Sequence, residues 1–162
     1  MAQIQKITPC LWFDRNAEEA VNHYTSIFKN SRLVSQSHYG EGAPLPEGTV
    51  LTIVFELEGQ SFMAVNGGPH FKFTEALSLC VSCDTQDELD DFWEKLSAGG
   101  EKGHCGWLKD KFGLSWQIVP SALGEMMQDK DARRTNQVMA ALLRMNKLEI
   151  TGLKEAYDSL AS

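Results

Sequence analysis

The chain has 162 residues, 43% hydrophobic and 23% charged, with a formal net charge of -7 at pH 7, the proportions of a soluble globular protein able to bury a sizeable core. An acidic surface repels polyphosphate, and the basic clusters are as short as Arg133-Arg134, so nucleic acid is not an expected partner. No segment reaches the roughly 20 apolar residues of a membrane span, and the opening MAQIQKITPC has no apolar run of the signal-peptide kind, so the expected location is the cytoplasm.

In chain order, KITPCLWFD at 6–14 predicts a strand and NAEEAVNHYTSIF at 16–28 a helix. Asn16 is the expected cap, with Glu19 three residues on, and Ala17, Ala20, Tyr24, Ile27 and Phe28 form the apolar face. RLVSQSHY and TVLTIVFEL are β-branched and partly alternating, and SFMAVN follows the second after a Gly-Gln turn, which makes a βαβββ unit.

The pattern then repeats. EALSLCVSCD predicts a strand, TQDELDDFWEKLSAGG a helix with a Thr85/Glu88 capping box and a Gly99-Gly100 stop, and GEKGHCGWLK and GLSWQIVP further strands. Setting Tyr24 on Trp93 also brings Ala20 onto Leu89 and Ile27 onto Leu96, the mark of a duplicated unit.

The cysteines are Cys10, Cys80, Cys83 and Cys105, expected to stay reduced in a cytoplasmic protein. CVSC at 80–83 has metal-motif spacing, but on a strand positions i and i+3 face opposite sides, so these two thiols cannot converge on one ion.

GEGAPLPEG at 40–48 and GGPHFKF at 67–73 are loops with the composition of candidate lids. After Pro120 the chain turns helical. DARRTNQVMAALLRMNK places Val138, Ala141, Leu142 and Met145 on one face, and TGLKEAYDSL places Leu153, Ala156, Tyr157 and Leu160 together, faces to be buried on the chain's own domain or on a second subunit.

A duplicated βαβββ unit ending in DKFGLSWQIVP resembles the vicinal oxygen chelate superfamily, which includes glyoxalase I, extradiol dioxygenases, fosfomycin-resistance enzymes and bleomycin-binding proteins. Within it the chain is most similar to the PhnB-like family. The resemblance is carried by ITPCLWFDRNAEEAVNHYTSIF at 7–28, AVNGGPHFKFTEALSLCVSCD at 64–84 and CGWLKDKFGLSWQIVP at 105–120. It implies an α+β fold of two βαβββ modules with C-terminal helices: a single domain over 1–162, with module one at about 4–66, module two at about 74–120 and the tail at 121–162. It also implies a homodimer. Members of this family carry the label 3-demethylubiquinone-9 3-methyltransferase. A conventional methyltransferase that uses S-adenosylmethionine needs a Gly-rich turn between a strand and a helix, whereas GEG at 40–42 and GGP at 67–69 lie between β segments.

In the superfamily each module curls into a half-cup, where His and Glu side chains from the first and last strands hold a divalent metal. With Leu11 and Phe13 packed toward the helices, Thr8, Cys10 and Trp12 face the cup, and Thr8 or Pro9 stands at the usual histidine. Ser78, Cys80 and Ser82 face it in module two. Ser115, Gln117 and Val119 share a face of the last strand, with Gln117 at the usual glutamate. Neutral amides and hydroxyls are weak donors for a transition metal, so no metal and no cofactor are expected. His23, His38 and His104 are expected to be solvated or satisfied. His70 is the weak catalytic candidate: a loop folded over the cup would make it a general base, with Phe71 or Phe73 closing over an apolar ligand. The alternative is a plain turn whose aromatics anchor the loop.

The expected ligand-binding residues are Trp12, Cys10, Ser78, Cys80, Gln117 and Phe73, a mostly apolar lining suited to a small organic molecule with an aromatic or amide portion. Lys109, Asp110 and Lys111 are expected to solvate their turn. The expected function is binding of a small organic molecule without a catalytic metal. The alternatives are an enzyme, either the methyltransferase of the family label or a metal-independent lyase or isomerase using His70, and a drug-sequestering protein of the bleomycin-binding type.

Overall fold

A computed structural model of the chain describes residues 5–159. The start of module one at residue 4 and Leu160 of the last predicted helix face lie outside the described residues. The chain divides into two compact units, Met1–Lys72 and Phe73–Ser162.

The first unit runs β1 (Cys10–Phe13), α1 (Ala17–Ile27), β2 (Ser31–His38), β3 (Val50–Leu57), β4 (Gln60–Asn66), and its sheet has the order β1-β4-β3-β2. β1 and β4 are parallel, and the other neighbours antiparallel. Glu58 and Gly59, both at positive φ (48° and 81°), make the tight β3–β4 turn, the backbone form that matches the twist of a two-residue hairpin. One face of this sheet is dry: Leu11, Phe13, Ile53, Phe55, Leu57, Phe62 and Ala64 are buried, as are Ala17, Ala20, Tyr24 and Ile27 of α1. Each large apolar side chain so buried contributes about 1.5–3 kcal/mol, which is why helix and sheet stay joined.

The cap of α1 differs from the expectation. Asn16 precedes the helix but makes no capping bond through its side chain. Asn66, only 1% exposed at the end of β4, accepts the Ala17 N–H through Oδ1 at 2.9 Å, and its Nδ2 donates to Glu18 Oε1 at 2.7 Å and to the Val50 carbonyl at 3.0 Å. A remote amide that satisfies three groups at once displaces the local cap.

The second unit repeats the order with β5 (Ser78–Cys83), α2 (Gln86–Ser97), β6 (Glu101–Lys102), β7 (Trp107–Lys109) and β8 (Ser115–Pro120), in a sheet of order β5-β8-β7-β6. Leu89, Trp93 and Leu96 of α2 are buried, along with Cys83, Leu108, Trp116 and Ile118 of the sheet. Here the local cap forms: Thr85 Oγ1 accepts the Glu88 N–H at 3.2 Å. Gly99, at φ +76°, follows the helix as expected.

The 110–113 turn corrects a second expectation. Asp110 is 2% exposed and does not solvate anything. Its Oδ1 accepts the Phe112 and Leu114 N–H groups at 2.9 and 3.0 Å, and its Oδ2 accepts the Trp116 indole N–H at 2.9 Å. The carboxylate is the hub of the β7–β8 connection.

The tail forms α3 (Ser121–Met127), α4 (Ala132–Leu142) and α5 (Ile150–Asp158). It packs within the second unit, where Val138, Leu148 and Leu153 are fully buried. Gln86 donates to the Leu148 carbonyl at 3.1 Å and accepts the Ile150 N–H at 2.8 Å. No helix among the described residues is long and apolar enough to cross a membrane.

Candidate functional site

Strand register sets what shares the uncovered face of the second sheet. Lys109, Ser115 and Ser78 lie opposite one another across β7, β8 and β5; one row on come Trp107, Gln117 and Cys80; then Val119 and Ser82. The expected residues Ser78, Cys80 and Gln117 therefore stand together on one face. Gln117 Nε2 donates to Ser78 Oγ at 2.9 Å, so the amide at the superfamily's carboxylate position is bonded to the hydroxyl beside it.

Beside this face lies a hollow of about 460 Å³, lined by Glu75, Glu101, His104, Trp107, Lys109 and Ser115 among others. That volume suits a small ligand. Ser115 is 1% exposed, and its Oγ has no hydrogen-bond partner among the described residues. The Lys109 ammonium pairs with the Glu75 carboxylate. Each charge favours the other, through their hydrogen bond first: Glu75 is held below the usual carboxylate value and Lys109 above the usual ammonium value. Both side chains are exposed to solvent, so the pair adds little stability. His104 Nδ1 lies 2.7 Å from Asn146 Oδ1, so the tail fixes one wall of the hollow.

In the first unit Cys10 and Trp12 occupy the uncovered face of β1, in register with Met63 and Val65 of β4. The Trp12 indole N–H donates to the Gly68 carbonyl at 2.9 Å, and the Phe71 ring meets it edge-on at 4.9 Å. A Cβ at residue 67 would sit 2.2 Å from the Trp12 ring, so only glycine lets the ring lie against the backbone there. Phe71 is 66% exposed and anchors the loop through Trp12. His70 is exposed and has no hydrogen-bond or ionic partner among the described residues, so no neighbouring acid orients it as a base. Phe73 opens the second unit, half-buried.

The thiols follow strand parity. Cys80 is exposed and Cys83 buried, and burial pushes the Cys83 thiol up to about 12, with Glu88 and Asp84 adding to the effect. Desolvation also raises Cys10 and Cys80 above the ordinary thiol value. Cys10, Cys80 and Cys83 are therefore not activated nucleophiles, because activation requires a depressed thiol pKa.

A superfamily metal does not fit these residues. A catalytic divalent ion needs several strong N or O donors converging at about 2 Å, and no group of three His, Cys, Asp or Glu side chains among the described residues can hold one. Gln117 and Ser78 are spent on each other.

Strand parity places Ser115 on the face of Gln117, but nothing in the linear pattern points to Trp107, Glu75 and Lys109 as lining the same hollow. Their only signal was register, because Lys109 falls opposite Ser115 only once the turn held by Asp110 is in place.

Two βαβββ modules, each with one helix-covered and one uncovered sheet face, define a protein of the vicinal oxygen chelate class. The chain belongs to the PhnB-like family, whose model, described as 3-demethylubiquinone-9 3-methyltransferase, matches residues 5–119. It is similar to the PhnB protein from Bacillus cereus at 43% identity over 72% of this chain and 100% of that one, with a TM-score of 0.67. Two further structures share the fold. A protein from Pseudomonas aeruginosa is 20% identical over 72% of this chain and 96% of its own, TM-score 0.58. A fosfomycin resistance protein from Listeria monocytogenes is 16% identical over 76% and 98%, TM-score 0.50. None of the curated proteins matches the chain. The family match ends at residue 119, so α3–α5 lie beyond it.

Proposed function

We propose that the protein binds a small organic molecule on the uncovered faces of its sheets and does so without a catalytic metal. The observation that carries this reading is the Gln117–Ser78 hydrogen bond of 2.9 Å: the neutral amide at the superfamily's carboxylate position is bonded to a neutral hydroxyl, beside Trp107 and Val119 on the same face. Such a face favours an aromatic or amide-bearing ligand. Elemental analysis of untagged protein tests it: stoichiometric Zn, Mn, Ni or Fe that disappears in Gln117→Ala would overturn the metal-free reading.

The methyltransferase alternative draws support from the family description alone. The loop at 40–48 joins β2 to β3 and that at 67–77 joins β4 to β5, and neither leads from a strand into a helix as a cofactor turn does. Calorimetry with S-adenosylmethionine separates the two readings, since measurable binding heat at millimolar cofactor would restore the enzyme. The same reading has the protein working in the cytoplasm as a homodimer. Four free thiols support the reducing compartment, and exposed Met139 and Leu143 on and after α4 support self-association, which light scattering checks.

A further inference from the structure

The hollow of the second unit contains a buried hydroxyl with no hydrogen-bond partner among the described residues and, directly opposite it in register, a lysine whose ionic partner comes from a loop. Ser115 and Lys109 face each other across β8 and β7. Side chains so placed have Cβ atoms about 5 Å apart, a spacing across which the two oxygens of one carboxylate can accept from both. Glu75 precedes β5, in the exposed stretch 74–77, and holds Lys109 through a solvent-exposed ion pair. We propose that Lys109 and Ser115 form a subsite for the carboxylate of a small aromatic acid, for which the chain's own Glu75 carboxylate competes at the Lys109 ammonium.

The proposal rests on the small-molecule reading above and adds the ligand class to it. Trp107 supplies the aromatic half. It lies two residues before Lys109 on β7 and on the same face, so about 7 Å along the strand, and it lines the same hollow. A flat ring attached to the carboxylate therefore lies over Trp107, where ring–ring contact adds to area burial. Glu101 stands opposite Lys109 on the other side, so a second negative group on the ligand is repelled. The expected ligand is a monoanionic aromatic acid, with its carboxylate bonded to Nζ of Lys109 and Oγ of Ser115. Glu75 competes for the same ammonium.

The experiment is a chemical-shift titration of the full-length protein with benzoate, and with benzamide and phthalate as comparison probes, at fixed ionic strength. Benzoate is expected to move the Ser115 amide and Trp107 indole signals and to bind more tightly than either comparison probe. Lys109→Met should weaken benzoate at least about ten-fold, the size of a lost charge-assisted bond, while Lys109→Arg retains binding. Ser115→Ala should weaken it a few-fold. Glu75→Gln should tighten it roughly two- to five-fold, the scale of an exposed ion pair given up. The amide fingerprint of each variant verifies its fold. Equal affinity for benzoate and benzamide, undiminished in Lys109→Met, would overturn the carboxylate subsite and leave the small-molecule reading standing. No response to any of the probes, in the wild type or in Glu75→Gln, would overturn the subsite and remove the support this face gives to that reading.

Discussion

Asp110 Oδ2 accepts the indole N–H of Trp116 at 2.9 Å, with both residues buried. The same carboxylate holds the turn between β7 and β8 through two backbone N–H groups. Asp110→Ala leaves three donors without their acceptor, two of them on the buried residues Leu114 and Trp116, and is expected to cost about 3 kcal/mol. Asp110→Asn keeps one acceptor oxygen and should cost less. Urea unfolding followed by tryptophan fluorescence measures both, and a wild-type midpoint for the alanine variant would refute the hub.

The cap of α1 gives a contrast between two asparagines. Asn66→Ala removes bonds to Ala17, Glu18 and Val50 and should destabilise by about 2 kcal/mol. Asn16→Ala removes no side-chain capping bond and should fall within about 0.5 kcal/mol of wild type. The reverse order in chemical denaturation would mean that the local cap operates in solution.

Two glycines separate close approach from plain flexibility. Gly67→Ala drives a methyl into the Trp12 ring and should cost about 1–3 kcal/mol as overpacking, with a shifted Trp12 indole signal. Gly124 in α3 has open space around the added methyl, so Gly124→Ala should be neutral or stabilising by up to about 1 kcal/mol. Thermal melts of the pair decide it.

The cysteines predict a pH response. Cys83 stays protonated in the folded protein up to about 12, while the unfolded thiol ionises near the ordinary value of about 8.5. Above that value the unfolded state has lost a proton that the folded state keeps. This contribution to stability therefore falls as pH rises, by up to about 1.4 kcal/mol per unit, until the folded value is reached. Guanidinium unfolding from pH 8 to 10.5 should show a shallower decline in Cys83→Ala than in wild type. Native alkylation should modify Cys10 and Cys80 slowly at neutral pH and leave Cys83 untouched, because the thiolate is the reacting form. Fast labelling of Cys83 in the folded state would contradict its burial.

Much of the fold is legible in the linear pattern. Strand alternation in TIVFEL and SFMAVN, the helical spacing of Ala20, Tyr24 and Ile27, and its repetition at Leu89, Trp93 and Leu96 all follow from local periodicity, and these residues are buried as that periodicity requires. Parity also separated Cys80 from Cys83. Turn chemistry was less legible, because Asp110 looks like a solvated charge until its neighbours in space are known.

The amino-acid sequence by itself determined the two βαβββ modules, the family, and the faces on which Ser78, Cys80, Ser115 and Gln117 lie, because side-chain direction on a strand follows from position alone. Only the tertiary structure decided that Asn66 caps α1, that Asp110 is a hub, that Gln117 is tied to Ser78, and that Glu75 reaches Lys109, the residue in register with Ser115. Each of these joins residues whose proximity depends on strand register, turn geometry or loop path, and such pairings leave no local trace in the chain.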